Sequence, residues 1–243
     1  MSAIAVGLFV VLLAFAVLAT AAFIALEVRR RYLGALFLKG FASFGFIALA
    51  ASALVFRGRL GGAQPTADDL LHMALVFAGL VLGLMGDLYL ALRPLRPHEE
   101  NQRIILGGTI TFALGHLFYL AALFVRFGLN AWVFTAAILL TGAINVASAY
   151  LRMDWGKLQF PSLVYTFIVF LFGGQALFGW IDSGARVDWT LALAVGGILF
   201  AVSDLILSQI YFKDKETPPY VVWNLTTYYG AQILIALSLI MMA

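Results

Sequence analysis

Long apolar runs separated by short polar stretches occupy almost the whole chain. Eight of these runs reach the length of about 20 residues that an α-helix needs to cross the hydrocarbon core of a bilayer. They predict helices over residues 3–26, 33–56, 70–92, 104–126, 130–151, 160–181, 189–212 and 220–242. The pattern therefore predicts an all-α polytopic membrane protein, a bundle of eight transmembrane helices forming a single domain over residues 1–243.

The composition supports a lipid environment. Hydrophobic residues make up 63% of the chain and charged residues 11%, which is outside the range of soluble globular domains. The chain has no cysteine, so disulfides, thiolate metal sites and a cysteine nucleophile are excluded. The net charge of +3 comes from basic residues between apolar runs, where they orient a membrane protein. We therefore expect a lipid bilayer as a partner and no nucleic acid. The oligomeric state stays open.

Basic residues are distributed unevenly between the two sets of connections. Those after helices 1, 3, 5 and 7 contain ten Lys and Arg residues, and those after helices 2, 4 and 6 contain four. The positive-inside rule then predicts that the first set is cytoplasmic and that both termini are outside. We also expect the protein to lie in the cell (inner) membrane. The first run lacks a preceding basic region and reads as a retained helix. The longest connection, Arg57 to Asp69, reads as a Gly-rich turn-like segment.

Two segments of the chain resemble each other. Gly79–Leu90 (GLVLGLMGDLYL) and Gly196–Leu207 (GGILFAVSDLIL) share five identities in twelve positions, including Asp87 and Asp204. The segments belong to predicted helices 3 and 7, which run in the same direction. A duplication that produces two parallel four-helix repeats is one interpretation, and chance similarity between short apolar segments is the other.

Polar residues inside the predicted spans have overlapping depths. At about 1.5 Å per residue, Asp87 lies about 9 Å and Asp204 about 13 Å from the cytoplasmic end of its helix. Ionisable groups in a membrane cost about 3 kcal/mol each and usually face the bundle interior. We therefore predict a polar chamber that opens toward the cytoplasmic leaflet. It would also include Lys39, His116, Asn145, Tyr228, Tyr229 and Gln232.

A purely structural explanation of the two acids is the alternative. Lys39 and Asp87 would then form a structural ion pair, and Asp204 would be a protonated acid bonded to Ser203 or Tyr229.

Known catalytic motifs are mostly excluded. The sequence contains no Gly-x-Ser-x-Gly elbow, so a lipase-type serine has no candidate. Only three histidines are present, one of them deep, so a zinc site built on several imidazoles cannot form, although an ion held by carboxylates stays open. We predict no cofactor and no metal. Two carboxylates with nearby hydroxyl, amide and lysine groups remain, and they suit acid–base chemistry with water.

Five short motifs occur in order along predicted helices 2 to 8: Lys39 with Ser43, Gly86-Asp87-x-x-Leu90, Gly115-His116-x-x-Tyr119, Ser203-Asp204-x-x-Leu207 and Tyr228-Tyr229-x-x-Gln232. Together these motifs resemble the YhhN family, the lysoplasmalogenase-like membrane proteins. One departure is Gly40, where the family often has proline after the lysine.

The resemblance implies a hydrolase that cleaves the alkenyl ether bond of lysoplasmalogens, with a lysophospholipid from the membrane as substrate. Asp87 and Asp204 would be catalytic, one as the protonated acid and the other ionised to orient water. Their order is open, although pairing of Lys39 with Asp87 would leave Asp204 as the acid. Substrate or water would contact Lys39, Ser43, Arg93, His116, Tyr119, Asn145, Ser203, Tyr228, Tyr229 and Gln232.

Two other classes of function are compatible with the same residues. A repeat with one acid in each half and an added lysine would also suit a proton-coupled transporter, which needs access from both faces. A non-catalytic lipid-binding protein is the third hypothesis, and it would tolerate Asp→Asn changes.

Overall fold

The computed structural model describes residues 3–56 and 66–242, which form eight long α-helices and no strand. Each helix is long and apolar enough to span a bilayer, which confirms the predicted all-α polytopic fold. The helices are α1 Ala3–Val28, α2 Tyr32–Phe56, α3 Ala67–Ala91, α4 Asn101–Phe127, α5 Ala131–Tyr150, α6 Gln159–Asp182, α7 Trp189–Phe212 and α8 Pro218–Met242.

The start of α3 shows how local capping shifts a helix end. Thr66 accepts a hydrogen bond from the backbone N–H of Asp69 at 3.2 Å, and the Asp69 carboxylate accepts one from the Thr66 N–H at 2.9 Å. This capping box satisfies two N–H groups that the helix leaves without partners. Helix α3 therefore begins at Ala67, three residues before the predicted start. Residues 57–65 of the predicted Gly-rich connection lie outside the described residues.

One end of the bundle carries the α1–α2, α3–α4, α5–α6 and α7–α8 connections, and we call it the basic face. Arg93, after α3, forms an ion pair with Glu216, between α7 and α8. The Asp154 N–H, between α5 and α6, donates to the carbonyl of Phe212 at the end of α7 at 2.9 Å. These bonds bring three of the four connections together.

The helix packing has the same form in both halves of the chain. Helix α2 packs against α1, α3 and α8, and α6 packs correspondingly against α5, α7 and α4. A Cβ added at Gly79 would lie 2.8 Å from the Gly115 carbonyl of α4, and one at Gly196 would lie 3.2 Å from the Ala231 carbonyl of α8. Aligned glycines thus let the third and fourth helices of each half approach closely. This equivalence supports the predicted parallel duplication.

Helix α5 is the most peripheral element. It packs mainly against α6, and Ala137 and Ser148 are its buried residues. Core side chains come mainly from the other helices, including Phe46, Leu80, Phe172 and Ile235, each fully buried. The side chains of α5 therefore face mainly away from the bundle interior.

We expect Gly79→Ala to lower the thermal stability of the detergent-solubilised protein. The added methyl group would meet both the Tyr119 ring and the Gly115 carbonyl, and such overpacking costs about 1–3 kcal/mol. Gly142→Ala on α5 is the matched control, because nothing lies within 4 Å of its added Cβ. Equal melting temperatures for the two variants would contradict the close α3–α4 contact.

Candidate functional site

Asp87 on α3 is a buried carboxylate surrounded by donors. Its side chain is 2% exposed, and Lys39 Nζ of α2 lies 3.4 Å from its Oδ1. Ser43 Oγ donates to its Oδ2 at 2.6 Å, and the Tyr228 hydroxyl of α8 donates to the same atom at 2.8 Å. Lys39 and Ser43 are four residues apart on one face of α2, so a single helix supplies both the cation and one donor.

A hydrogen-bond network extends from Asp87 to α4 and α8. Because the Ser43 proton is directed to Asp87, the Tyr229 hydroxyl donates to Ser43 Oγ at 3.2 Å. Gln232 Nε2 donates to the Tyr228 hydroxyl at 3.0 Å, and the Tyr119 hydroxyl donates to Gln232 Oε1 at 3.2 Å. The structure thus brings the predicted residues Lys39, Ser43, Tyr119, Tyr228, Tyr229 and Gln232 together around Asp87.

Asp204 on α7 has a different environment. Its side chain is half-buried, and the hydroxyl of Tyr165 on α6 donates to its Oδ2 at 2.7 Å. The alternative prediction that Asp204 is bonded to Ser203 or Tyr229 is therefore wrong. Ser203 instead exchanges hydrogen bonds with Asn224, with Asn224 Nδ2 3.0 Å from Ser203 Oγ.

Tyr165 is a site residue that the sequence reasoning missed. The internal repeat could have revealed it. Asp87 lies on α3 and is held by side chains of α2, the preceding helix. By equivalence, a partner of Asp204 was to be expected on α6, where Tyr165 is found.

Both aspartates line one cavity, which we call the polar cavity. Its empty space, counted together with the open solvent at its mouth, is about 850 Å³. Lys39, Arg93, Ser203 and Tyr228 share its wall. The mouth is lined by Glu27, Tyr32, Arg93 and Glu216 at helix ends on the basic face, so the cavity opens on that face.

The mouth is organised around Arg93. Its guanidinium pairs with Glu216 and lies 4.5 Å from the centre of the Tyr211 ring. Arg93 is therefore already held by an acid and an aromatic ring, at the place where a ligand would enter.

Six predicted residues are absent from the described wall of this cavity, and four of them belong to the Asp87 network: Ser43, Tyr119, Tyr229 and Gln232. The other two lie outside both the network and the wall. Asn145 lies on the peripheral helix α5, and it is absent from the described wall of the polar cavity. His116 is buried behind the wall, with its Nδ1 2.8 Å from the Phe112 carbonyl and its ring centre 4.3 Å from that of Phe200. Among the described residues its Nε2 has no hydrogen-bond partner. His116 therefore packs between the Asp87 network and Tyr165 and does not line the cavity.

The described part of the chain contains no cluster of three or more His, Asp or Glu side chains that could hold a metal ion. The polar groups of the cavity are the carboxylates of Asp87 and Asp204 in unlike settings, two glutamates at its mouth, a lysine, an arginine, an asparagine and several hydroxyls. Such a set can donate and accept protons and can bind an anionic group near its mouth.

Comparison with known proteins relates the chain to one protein family. The sequence model of the YhhN family matches residues 39–239, a range that begins at Lys39 and includes both aspartates. Lysoplasmalogenase TMEM86A of Bos taurus is 31% identical over 165 residues, and lysoplasmalogenase TMEM86A of Homo sapiens is 28% identical over 167 residues. Each alignment covers 67% of this chain and 64% of the relative, so the chain spans somewhat less than two thirds of these relatives. No solved structure matches the chain.

We expect Lys39→Met to destabilise the protein, because Asp87 would keep a buried charge without its cation. Removing one partner of a buried ion pair costs about 3–5 kcal/mol. The double variant Lys39→Met/Asp87→Asn should recover much of this loss, since the uncharged amide needs no cation. Thermal unfolding in detergent measures both effects.

Lys157→Met is the control for loss of a lysine, because Lys157 is exposed on the basic face. A double variant as unstable as Lys39→Met would contradict the charge argument and would assign the loss to packing of the Lys39 stem.

Proposed function

Because the chain belongs to the YhhN family, we propose that it is a membrane-embedded hydrolase that cleaves the vinyl-ether bond of lysoplasmalogens. The products would be a fatty aldehyde and glycerophosphoethanolamine or glycerophosphocholine. The names of the relatives support the substrate class. The observation that carries the proposal is that two aspartates with unlike surroundings line one cavity.

Hydrolysis of a vinyl ether needs a proton donor and a proton acceptor. A proton added to the β-carbon uses the electron pair of the double bond to form the new C–H bond, and it leaves an oxocarbenium ion at the α-carbon. Water then adds at the α-carbon and gives up a proton. The hemiacetal that forms collapses to the aldehyde and the alcohol. The oxocarbenium ion relates this reaction to glycoside hydrolysis, in which a carboxylic acid and a carboxylate act together.

The surroundings of the two acids support one assignment of roles. Asp87 faces a lysine and two hydroxyl donors, which all favour the ionised form, so Asp87 is the base that accepts the proton of water. Asp204 receives one hydrogen bond, from Tyr165, and has no cation partner in the described part of the chain. Asp204 is therefore the protonated acid, and this division of labour follows the pattern of paired carboxylates in unlike environments.

The basic groups of the cavity suit the phosphate of the substrate. Lys39 lies deep beside Asp87, whereas Arg93 lies at the mouth and forms a planar fork that matches phosphate oxygens. The phosphate would compete with Glu216 for Arg93, because the two are paired in the structure.

The purified protein should release aldehyde from lysoplasmenyl-ethanolamine in detergent, and Asp87→Asn and Asp204→Asn should each reduce the rate about 100- to 10,000-fold, the usual contribution of a general acid or base. Coupled aldehyde reduction measures the rate. Asp188→Asn is the matched control, because Asp188 caps α7 and asparagine caps a helix equally well.

The outcomes separate the hydrolase from its rivals. Loss of turnover in both aspartate variants, measured at a temperature at which each variant is still folded, supports paired-carboxylate catalysis. Absence of turnover by the parent, with transport into vesicles that depends on both aspartates, would replace the hydrolase with a carrier. Substrate binding that survives both Asp→Asn changes, again without turnover, would indicate a lipid-binding protein.

We further propose that the basic face is cytoplasmic and that the protein lies in the inner membrane. The chain has no cysteine, so one introduced thiol reports one position. In intact cells, a membrane-impermeant maleimide should label Leu129→Cys, between α4 and α5, and should label Glu99→Cys, between α3 and α4, only after lysis. The parent protein is the unlabelled control, and the reverse labelling pattern would overturn the orientation.

A further inference from the structure

A second cavity lies beside the polar cavity, between α4, α5, α6 and α7, and we call it the apolar cavity. Its empty space, counted together with the open solvent at its opening, is about 720 Å³. Ile105, Val169, Phe170, Ala201 and other apolar residues form most of its wall. Asp204 is the single acidic or basic residue among its described lining residues.

Several hydroxyl groups in this wall are already occupied. Thr166 Oγ1 donates to the Ser162 carbonyl at 2.8 Å, and Ser208 Oγ donates to the Leu205 carbonyl at 2.7 Å. These hydroxyls satisfy their own helices and offer little to a polar ligand. The cavity is therefore suited to hydrocarbon.

The two cavities share part of their walls. Three of the shared residues, Asp204, Leu207 and Tyr211, follow one another along a stripe of α7 at helical spacing. Leu90 of α3 and Phe112 of α4 are the other two. Asp204 thus lies at the boundary between a charged cavity and an apolar one.

We propose that the apolar cavity binds the hydrocarbon chain of a single-chain ether lysophospholipid whose head group occupies the polar cavity. This inference rests on the proposed function and deepens it. A lysoplasmalogen changes from polar to apolar at its vinyl ether, and the wall of the site changes from polar to apolar at Asp204. Matching these two boundaries places the scissile bond beside Asp204.

The placement also accounts for the direction of proton transfer. The β-carbon belongs to the hydrocarbon chain, whereas the α-carbon carries the ether oxygen of the head group. With the chain in the apolar cavity, the β-carbon comes next to Asp204, and the α-carbon faces the polar cavity that contains Asp87. The acid therefore meets the carbon that takes the proton, and the base lies on the side from which water attacks.

A lateral opening is compatible with entry of the chain from the bilayer. Helices α4 and α5 are consecutive, but they form no extended contact over the described residues. Ile105 of α4 and Ile144 of α5 both line the apolar cavity. The chain would enter between these two helices.

The decisive test measures binding and needs no turnover. Saturated alkyl-ether lysophosphoethanolamines with short and long chains lack the vinyl-ether bond, so their binding is independent of the proposed reaction. Affinity is obtained from ligand-dependent stabilisation of the parent, Ala201→Phe and Val202→Phe proteins in one detergent. Ala201 lines the apolar cavity, whereas its neighbour Val202 is 40% exposed and lines neither cavity.

In the parent, we expect the long chain to bind at least tenfold more tightly than the short one, since affinity grows with buried apolar area. Ala201→Phe should remove most of this difference, and Val202→Phe should preserve it. Thr166→Phe, which narrows the same cavity from α6, gives a second reading if Ala201→Phe does not fold.

Equal chain-length dependence in the parent, Thr166→Phe and any folded Ala201→Phe protein would overturn the chain site. That result is distinct from failure of the proposed function, which is absence of aldehyde release by the parent. A parent that binds long chains through the apolar cavity and releases no aldehyde would keep the chain site and reject the hydrolase. If turnover is present, Ala201→Phe and Thr166→Phe should lose the preference for long-chain lysoplasmalogens, and Val202→Phe should keep it.

Discussion

The charge of Asp87 is the constraint on which the centre of the bundle depends. A carboxylate taken out of water costs several kcal/mol, and a nearby cation offsets this cost only with good geometry and additional hydrogen bonds. Here the compensation comes from two residues of α2 and one of α8, and the second layer of the network extends to α4. Four helices must therefore keep their relative positions for one buried charge to be satisfied. The rigidity that this demands also holds the carboxylate at the edge of the polar cavity, where a reaction can use it.

The likeness of the two halves of the chain makes their differences informative. In each half, a side chain of the second helix, α2 or α6, contacts the aspartate of the third helix, α3 or α7. In each half, an aligned glycine also lets the third and fourth helices approach closely. In the first half the partners of the aspartate are a lysine and hydroxyls, whereas in the second half the partner is a single tyrosine. A symmetrical scaffold thus presents two acids to one cavity in unlike electrostatic surroundings. Such a difference suits acid–base chemistry, in which one carboxyl group is protonated while the other is ionised.

The fold was largely predictable from the sequence because the length and hydropathy of a membrane span are local properties. The Asp87 network was also largely predictable, since Lys39, Ser43, Tyr228, Tyr229 and Gln232 were identified by depth and motif. Depth, however, describes height in the membrane and not the direction in which a side chain points. Asn145 has a suitable height but lies on peripheral α5, and His116 has its ring packed against Phe200 behind the cavity wall.

Tyr165 was missed for a related reason. A tyrosine in an apolar helix has no charged neighbour in sequence to distinguish it, and its contact with Asp204 spans 39 residues. Only packing of α6 against α7, or the equivalence of the two halves, reveals it. Local capping groups such as Thr66 likewise shift helix ends by distances that hydropathy does not resolve.

The distribution of free space within the bundle favours a hydrolase over a carrier. Both described cavities lie in the half of the bundle next to the basic face, and the residues at the mouth of the polar cavity are at helix ends on that face. About 10 Å beyond Asp87 and Tyr228, two helical turns further along α3 and α8, the fully buried side chains of Leu80 and Ile235 fill the interior. At the same level, Gly79 and Gly196 bring helices into close contact. A carrier must loosen this layer in every cycle. A hydrolase needs access from one side, and its amphiphilic substrate and aldehyde product can enter and leave through the same leaflet.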